Sequence, residues 1–262
     1  MKHLLNNGAA LKAALLVLLA ALLPNSVLSS EVSEVSEDDF GIWYSVGAEK
    51  KLSKKWTVAA EGEFRTRNNA RTADRWDLGL QAERKLTRRL KLSAGYNLIW
   101  QNTPEKITVH SSDGSYNNWR PSFWSVRHRL HADLTGSLDW GRVRLSLRER
   151  WQYTFRPKAT TTRYDFDNAT WEDTEVQSKA KNVLRSRIGA SWNTPHCPID
   201  PYANVELFNA WSLQKVRYTL GADYKLTRQH VLSLFYRYQQ VHHSDEGQTS
   251  EHIAGLSYTF KF

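Results

Sequence analysis

The chain has 262 residues, with 36 Lys and Arg against 27 Asp and Glu for a formal charge of +9, and it carries eleven Trp and eleven Tyr. Its one cysteine, Cys197, excludes an intrachain disulfide framework. So basic a chain raises nucleic acid as a partner, but the cations alternate with apolar residues instead of clustering, so no nucleic-acid role is expected.

The first residues read as a secretory leader. Lys2 and Lys12 flank or interrupt an apolar run from Ala13 to Leu23, followed by Pro24 and small residues near Ser29 and Ser30. The run is shorter than the roughly 20 apolar residues a membrane helix needs, and no comparable run follows. The expected organisation is a cleaved leader at 1–29, an acidic segment at 30–39 and one domain at 40–262. No Cys lies near the cleavage site, so a lipoprotein anchor is excluded. The leader holds +2, and Glu31, Glu34, Glu37, Asp38 and Asp39 remove five charges, which leaves +12 on residues 40–262.

From residue 40 one pattern repeats. Large or apolar residues alternate with polar ones over ten to fourteen positions, the signature of a strand with one greasy face. Such runs are predicted near 40–51, 56–67, 75–86, 90–101, 123–139, 142–155, 182–192, 201–211, 215–226, 230–241 and 251–262. They are long for a soluble sheet, whose strands run nearer five or six residues, and long enough to cross a bilayer at a tilt. Short turns join some of them. Lys51-Leu52-Ser53-Lys54-Lys55 recurs as Lys85-Leu86-Thr87-Arg88-Arg89 and as Lys225-Leu226-Thr227-Arg228-Gln229, and Asp139-Trp140-Gly141-Arg142 and 193–200 serve elsewhere. Longer polar connections fall between them at 68–74, 102–122, 156–181 and 242–250.

An exported chain that crosses a membrane without an apolar helix must close a barrel. The predicted fold is therefore all-β: a transmembrane antiparallel up-and-down β-barrel, with short turns at the periplasmic rim and long loops outside. Eleven runs are counted, whereas single-chain bacterial barrels hold even numbers. Twelve strands are expected within a range of ten to fourteen, unless the N-terminus reaches the first strand from the outside. Trp43, Trp56, Trp76, Trp100, Trp124, Trp140, Trp151 and Trp192 are expected as interfacial belts.

The final strand, Glu251 to Phe262, places Leu256, Tyr258, Phe260 and a terminal Phe262 on one face, and it resembles the membrane-insertion signal of bacterial outer-membrane barrels. A wider resemblance rests on Asp39-Phe40-Gly41-Ile42-Trp43, the repeated Lys-Leu-[Ser/Thr]-[Lys/Arg] turns, and Arg217-Tyr218-Thr219-Leu220-Gly221. Leu234-Phe235-Tyr236-Arg237-Tyr238-Gln239 and Gly255-Leu256-Ser257-Tyr258-Thr259-Phe260 complete it. With these motifs the chain resembles domain of unknown function 2490, an uncharacterised outer-membrane barrel family common in the Bacteroidota. The resemblance implies a barrel in the outer membrane of a Gram-negative cell and carries over no catalytic residues.

Alternation also assigns a lumen face. A basic wall is expected from Arg127, Arg129, Arg144, Arg148, Arg150, Arg185 and Arg187, facing an acidic wall of Glu49, Glu61, Glu63, Asp77, Glu83, Glu206 and Asp223, with Arg65 and Arg67 at one end. If the walls touch, they pair into a plug; if water parts them, they form a charged, porin-like channel for small polar solutes. Expected partners are outer-membrane lipids, lipopolysaccharide and the barrel-assembly machinery. No cofactor and no metal site are expected.

Two other roles stay open: a lipid-modifying enzyme and a docking barrel of an envelope complex. For the first, His128 and Glu149 fall on the lipid face, where an ionisable group is costly and so invites a functional reading. Pairing Asp139 with Arg142 sets them four positions out of register, too far for a base and its orienting acid. The cluster His242-His243-Ser244-Asp245-Glu246 and the pair His196-Cys197 offer metal-type ligands without a defining spacing. The connection 156–181, with Arg163, Tyr164, Asp165, Phe166, Asp167 and Trp171, is long enough to fold into the mouth or to hold a partner.

Overall fold

The computed structural model describes residues 38–242 and 249–262; the predicted leader, residues 30–37 and His243 to Glu246 lie outside them. In chain order the strands are β1 (Asp39–Lys51), β2 (Trp56–Arg67), β3 (Thr72–Lys85), β4 (Leu90–Thr103), β5 (Lys106–Val109), β6 (Tyr116–Arg120), β7 (Phe123–Trp140) and β8 (Val143–Arg156). There follow β9 (Ala159–Asp165), β10 (Thr170–Val176), β11 (Lys179–Trp192), β12 (Ile199–Asn209), β13 (Leu213–Lys225), β14 (His230–Val241) and β15 (Glu251–Lys261). Eleven of them close a barrel in the order β1-β15-β14-β13-β12-β11-β8-β7-β4-β3-β2. The remaining four form a separate sheet, β10-β9-β6-β5, built from the two longest connections. Those connections, 102–122 and 156–181, read as polar loops in the sequence; each is a hairpin instead.

Eleven lies within the expected range and one short of twelve. An odd count has a geometric consequence. In an up-and-down barrel each strand reverses the last, so the first and last of an odd set point the same way. Accordingly β1 and β15 pair in parallel, from Asp39 opposite Glu251 to Glu49 opposite Lys261, while every other barrel pair is antiparallel. The wholly antiparallel expectation is corrected at this one seam, and β1 starts at the long-connection end.

The repeated turn has a physical basis. Ser53 Oγ accepts from the N–H groups of Lys55 (3.2 Å) and Trp56 (3.1 Å). Thr87 Oγ1 does the same for Arg89 (3.2 Å) and Leu90 (3.0 Å), and Thr227 Oγ1 for Gln229 and His230 (3.1 Å each). One hydroxyl thus ties two N–H groups that the ladder leaves unpaired at the hairpin tip. The turn between β7 and β8 works differently: Gly141 takes φ +61°, as a two-residue hairpin connection requires.

Burial is inverted relative to a water-soluble protein. Among the described residues, thirteen polar or charged side chains are buried against six hydrophobic ones, while Leu80, Leu220 and Leu234 are about 60% exposed. A soluble surface does not carry so many bare aliphatic side chains, and a barrel with a polar interior and an apolar outer face is built for lipid. The Trp rings of 56, 76, 100, 124, 140, 151 and 192 lie on the outer face. Trp43 does not: it is 3% exposed and points into the lumen. Its parity is that of Glu49, so alternation already placed it inside, and only its aromatic character suggested a belt.

Candidate functional site

Two cavities stand one above the other in the lumen formed by the described residues. The larger, about 700 Å³, is a vestibule at the long-connection end. Among the described residues eleven Arg and Lys side chains line it, including Arg127, Arg129, Arg156, Lys181 and Lys215, against the four carboxylates Asp39, Asp74, Glu105 and Glu251. Beneath it lies a cavity of about 190 Å³. Trp43, Arg65, Arg75, Arg129, Arg185 and Arg217 border both and form the floor between them.

That floor is a network. Glu206 of β12 stands 2.5 Å from Arg148, 2.9 Å from Arg185 and 3.6 Å from Arg217. Arg185 also donates to Gln152 (3.1 Å), and Arg217 to Gln239 (2.7 Å). Asp133 accepts from Nε and Nη2 of Arg150, at 2.5 and 2.7 Å, from the directly opposite position across β7 and β8. Glu63 and Arg65 (2.5 Å) pair along β2, as do Arg75 and Asp77 along β3, and Asn97 donates to Asp77 (2.8 Å). Residues two apart on a strand share a face, so these last pairs are built into the sequence spacing. Trp43 sits among the guanidiniums of Arg65 (3.5 Å), Arg237 (4.7 Å) and Arg217 (5.1 Å), and Phe208 among those of Arg185 and Arg217 and the ammonium of Lys215. Charge-assisted hydrogen bonds and ring faces together offset part of the cost of holding arginines away from bulk water.

The predicted lumen residues are distributed as follows. Arg127 and Arg129 line the vestibule; Arg148, Arg150, Arg185 and Arg187 line the lower cavity. Arg144 lies at the exposed short-turn end, bound to Asp139 at 2.6 Å. Glu61, Glu63, Asp77 and Glu206 line the lower cavity among the arginines. Glu49, Glu83 and Asp223 border neither cavity and sit near the short-turn ends of β1, β3 and β13, where Glu83 pairs with Lys91 (2.9 Å) and Asp223 accepts from Ser233 (2.5 Å). Two opposed walls therefore do not describe the lumen. Its carboxylates are interleaved with arginines of their own and nearby strands, and among the described residues both cavities hold an excess of positive charge, eleven cations against four carboxylates above and nine against four below.

Several residues central to this site were not singled out in the sequence: Trp43 as a lumen group, Asp133, Phe208, Lys215, Arg217 and Arg237. Strand parity would have found all six. They stand on strands whose lumen faces mix acids, bases and rings, so no wall of like charge marks them.

The outer face holds the other candidates. His128 bonds Tyr96 Oη through Nδ1 (2.7 Å), and Glu149 accepts from Ser186 (2.7 Å). His128 stands opposite Phe155 and Glu149 opposite Leu134, which separates them by six positions along β7, two more than the assumed turn gave. No bulge turns Glu149 inward; the register of β8 runs unbroken on both sides. Leu256, Tyr258 and Phe260 follow one another on the outer face of β15, Tyr258 Oη bonds His230 (2.6 Å), and Phe262 lies beyond the strand, 62% exposed. Cys197 is exposed in the connection from β11 to β12. Among the described residues no three His, Cys, Asp or Glu side chains gather as a metal site.

Comparison with solved structures finds barrels of low identity. The NanC porin is 13% identical with a TM-score of 0.46, covering 86% of this chain and 99% of that one. The β domain of the Bordetella autotransporter BrkA is 12% identical, TM-score 0.49, covering 79% and 82%. The CymD monoaromatic hydrocarbon channel is 7% identical, TM-score 0.40, covering 77% and 82%. No curated protein matches. A family model does match, over residues 40–250, which is most of the barrel and both outer hairpins. The chain belongs to DUF2490, a protein family of unknown function.

Proposed function

We propose that the protein is exported by a cleaved leader into the outer membrane of a Gram-negative bacterium, where it forms a narrow passive pore that favours small anions. The carrying observation is the vestibule, where among the described residues eleven cationic side chains stand against four carboxylates around one volume of about 700 Å³. Low-dielectric walls focus the field of that excess, so anions concentrate at the mouth and cations are repelled. Below the vestibule, the arginine floor around Glu206 and Trp43 is the constriction. It offers a moving anion successive guanidinium partners, of which Arg65, Arg75, Arg185 and Arg217 are already shared with carboxylates and therefore quick to release it. In this reading the short turns face the periplasm, the long connections face outward beside lipopolysaccharide, and the barrel-assembly machinery reads the Leu256–Phe262 face.

The test is planar-bilayer recording from the refolded barrel under a salt gradient. Steady conductance steps with a reversal potential on the anion side support the pore. Silence from protein that shows the heat-modifiable migration of a folded barrel refutes it and leaves a structural barrel closed at its floor.

A further inference from the structure

Three cations of the vestibule share one ring. Phe208 of β12 stands directly opposite Arg185 of β11 and Lys215 of β13. The guanidiniums of Arg185 and Arg217 lie 4.5 and 4.7 Å from the centre of its ring, and the Lys215 ammonium lies 4.8 Å from it. All three charges therefore fall within one screening length of each other, about 10 Å at 0.1 M salt. Arg217 is only 7% exposed.

Carboxylates compensate this corner in part. Arg185 and Arg217 share Glu206, which Arg148 also holds. The side chain of Lys215 makes no ion pair and no hydrogen bond among the described residues; its one direct partner is the Phe208 ring. Four cations around one carboxylate leave three charges in excess. Across the sheet Gln239 separates Arg217 from Glu251, standing directly opposite both. The charged groups that act most strongly on Lys215 are Arg217, Arg185, Arg65 and Arg129, all of them cations. Cations held out of bulk water without enough counter-charge are costly, and a bound anion relieves that cost.

The polar neighbours define what kind of anion fits. Gln239 and Gln152 turn their side-chain oxygens to Arg217 and Arg185, at 2.7 and 3.1 Å. The corner therefore presents the vestibule with ammonium, guanidinium and amide N–H groups, which are donors. The ring is already covered by the chain's own cations, so an aromatic guest finds no face to stack on. A halide brings a single charge and no oxygens, and a carboxylate brings two oxygens in one plane. Donors here arrive from β11, β13 and β14. A compact tetrahedral dianion meets both the excess charge and the several directions.

We propose that this corner is a binding site for inorganic phosphate, which makes a tetrahedral oxyanion the solute of the pore; the inference rests on the pore reading for transport but not for binding.

The experiment is equilibrium dialysis of labelled phosphate against the full mature barrel in detergent, at low salt and about pH 8, where phosphate carries nearly two charges. Uptake is expected to saturate near one phosphate per barrel. Chloride and acetate should displace it only at concentrations about tenfold or more above those of unlabelled phosphate, the effect of one charge-assisted hydrogen bond. K215Q removes such a bond and should weaken binding about tenfold; it breaks no ion pair, so the fold survives it. K215R, which restores the cation, should recover most of the affinity. R144Q removes an equal charge at the exposed short-turn end and should leave binding unchanged. Uptake that does not saturate, equal displacement by chloride or acetate, or an unchanged affinity in folded K215Q overturns the proposal. A barrel that binds phosphate but passes no current keeps this site and refutes the pore, whereas one that conducts chloride without binding phosphate keeps the pore and overturns this site.

Discussion

Glu206 is the position where the lumen network is most exposed to a single change. Its carboxylate is 4% accessible and is shared by Arg148, Arg185 and Arg217 at 2.5, 2.9 and 3.6 Å. E206Q keeps the shape and one acceptor but removes the charge that holds the three guanidiniums together. Breaking a buried ion pair from one side costs roughly 3–5 kcal/mol, most of it the stranded partner. Two of the arginines have a second acceptor, Gln152 for Arg185 and Gln239 for Arg217, and both border cavities that water can fill. The low end applies, about 3 kcal/mol, which for a domain of this size lowers the melting temperature by about 6–12 °C. The same substitution adds one net positive charge at the constriction, so the reversal potential moves further toward the anion limit, about 59 mV for a tenfold gradient of a monovalent salt. The assay pairs thermal unfolding of the refolded barrel with bilayer recording. A melting temperature within 2 °C of wild type together with an unmoved reversal potential would refute the network as drawn.

Three further changes probe separate parts of the barrel. W43A removes the ring among Arg65, Arg217 and Arg237; single-channel conductance is expected to rise and stability to fall by about 3 kcal/mol, the low end for emptying a core aromatic site. Replacing Ser53, Thr87 and Thr227 together by Ala removes the hydroxyl from all three repeated turns; at about 0.5–1 kcal/mol each, the urea midpoint should fall with no change in conductance. E149L takes a carboxylate off the lipid-facing middle of β8, where Leu147 and Trp151 flank it, and is expected to stabilise the barrel in lipid by about 1–2 kcal/mol; a destabilised E149L would show instead that the bond from Ser186 outweighs the cost of burying the charge in hydrocarbon.

The strands were legible because period-two alternation sustained over a dozen residues fits a strand and neither a helix nor a loop. β2 and β14 keep the predicted bounds, and the other barrel strands differ by a few residues at their ends. The outer hairpins were not legible for a related reason. β5 has four residues and β6 five, too few alternations to read, and Pro104, Pro121 and Pro157 at the joints resemble loop punctuation. The seam was legible only as a paradox of counting. Eleven runs were present, and a parallel closing pair resolves them without an extra strand. In the lumen, charge signs were readable from parity, but pairing was not. Which arginine meets Glu206 depends on registers across β8, β11, β12 and β13, and the assumed turn between β7 and β8 was already two positions off.

The net charge of the chain says little about selectivity, because its cations fall into two physical classes. Lys54 and Lys55 sit in an exposed turn, where salt screens them within about 10 Å at 0.1 M ionic strength. Lys215 lines the vestibule, 4.8 Å from the centre of the Phe208 ring and beside Arg217, where low-dielectric walls confine its field to the cavity that the proposed pore would use. Neutralising each class separates bulk charge from lumen charge. K215Q should reduce the anion reversal potential measurably at 0.1 M salt and far less at 1 M, where the screening length falls to about 3 Å. The double change K54Q/K55Q removes twice the charge and should leave the reversal potential unmoved at either concentration. If the turn variant shifts selectivity as much as K215Q does, the vestibule is not where ions are chosen, and the path must be sought at the short-turn rim.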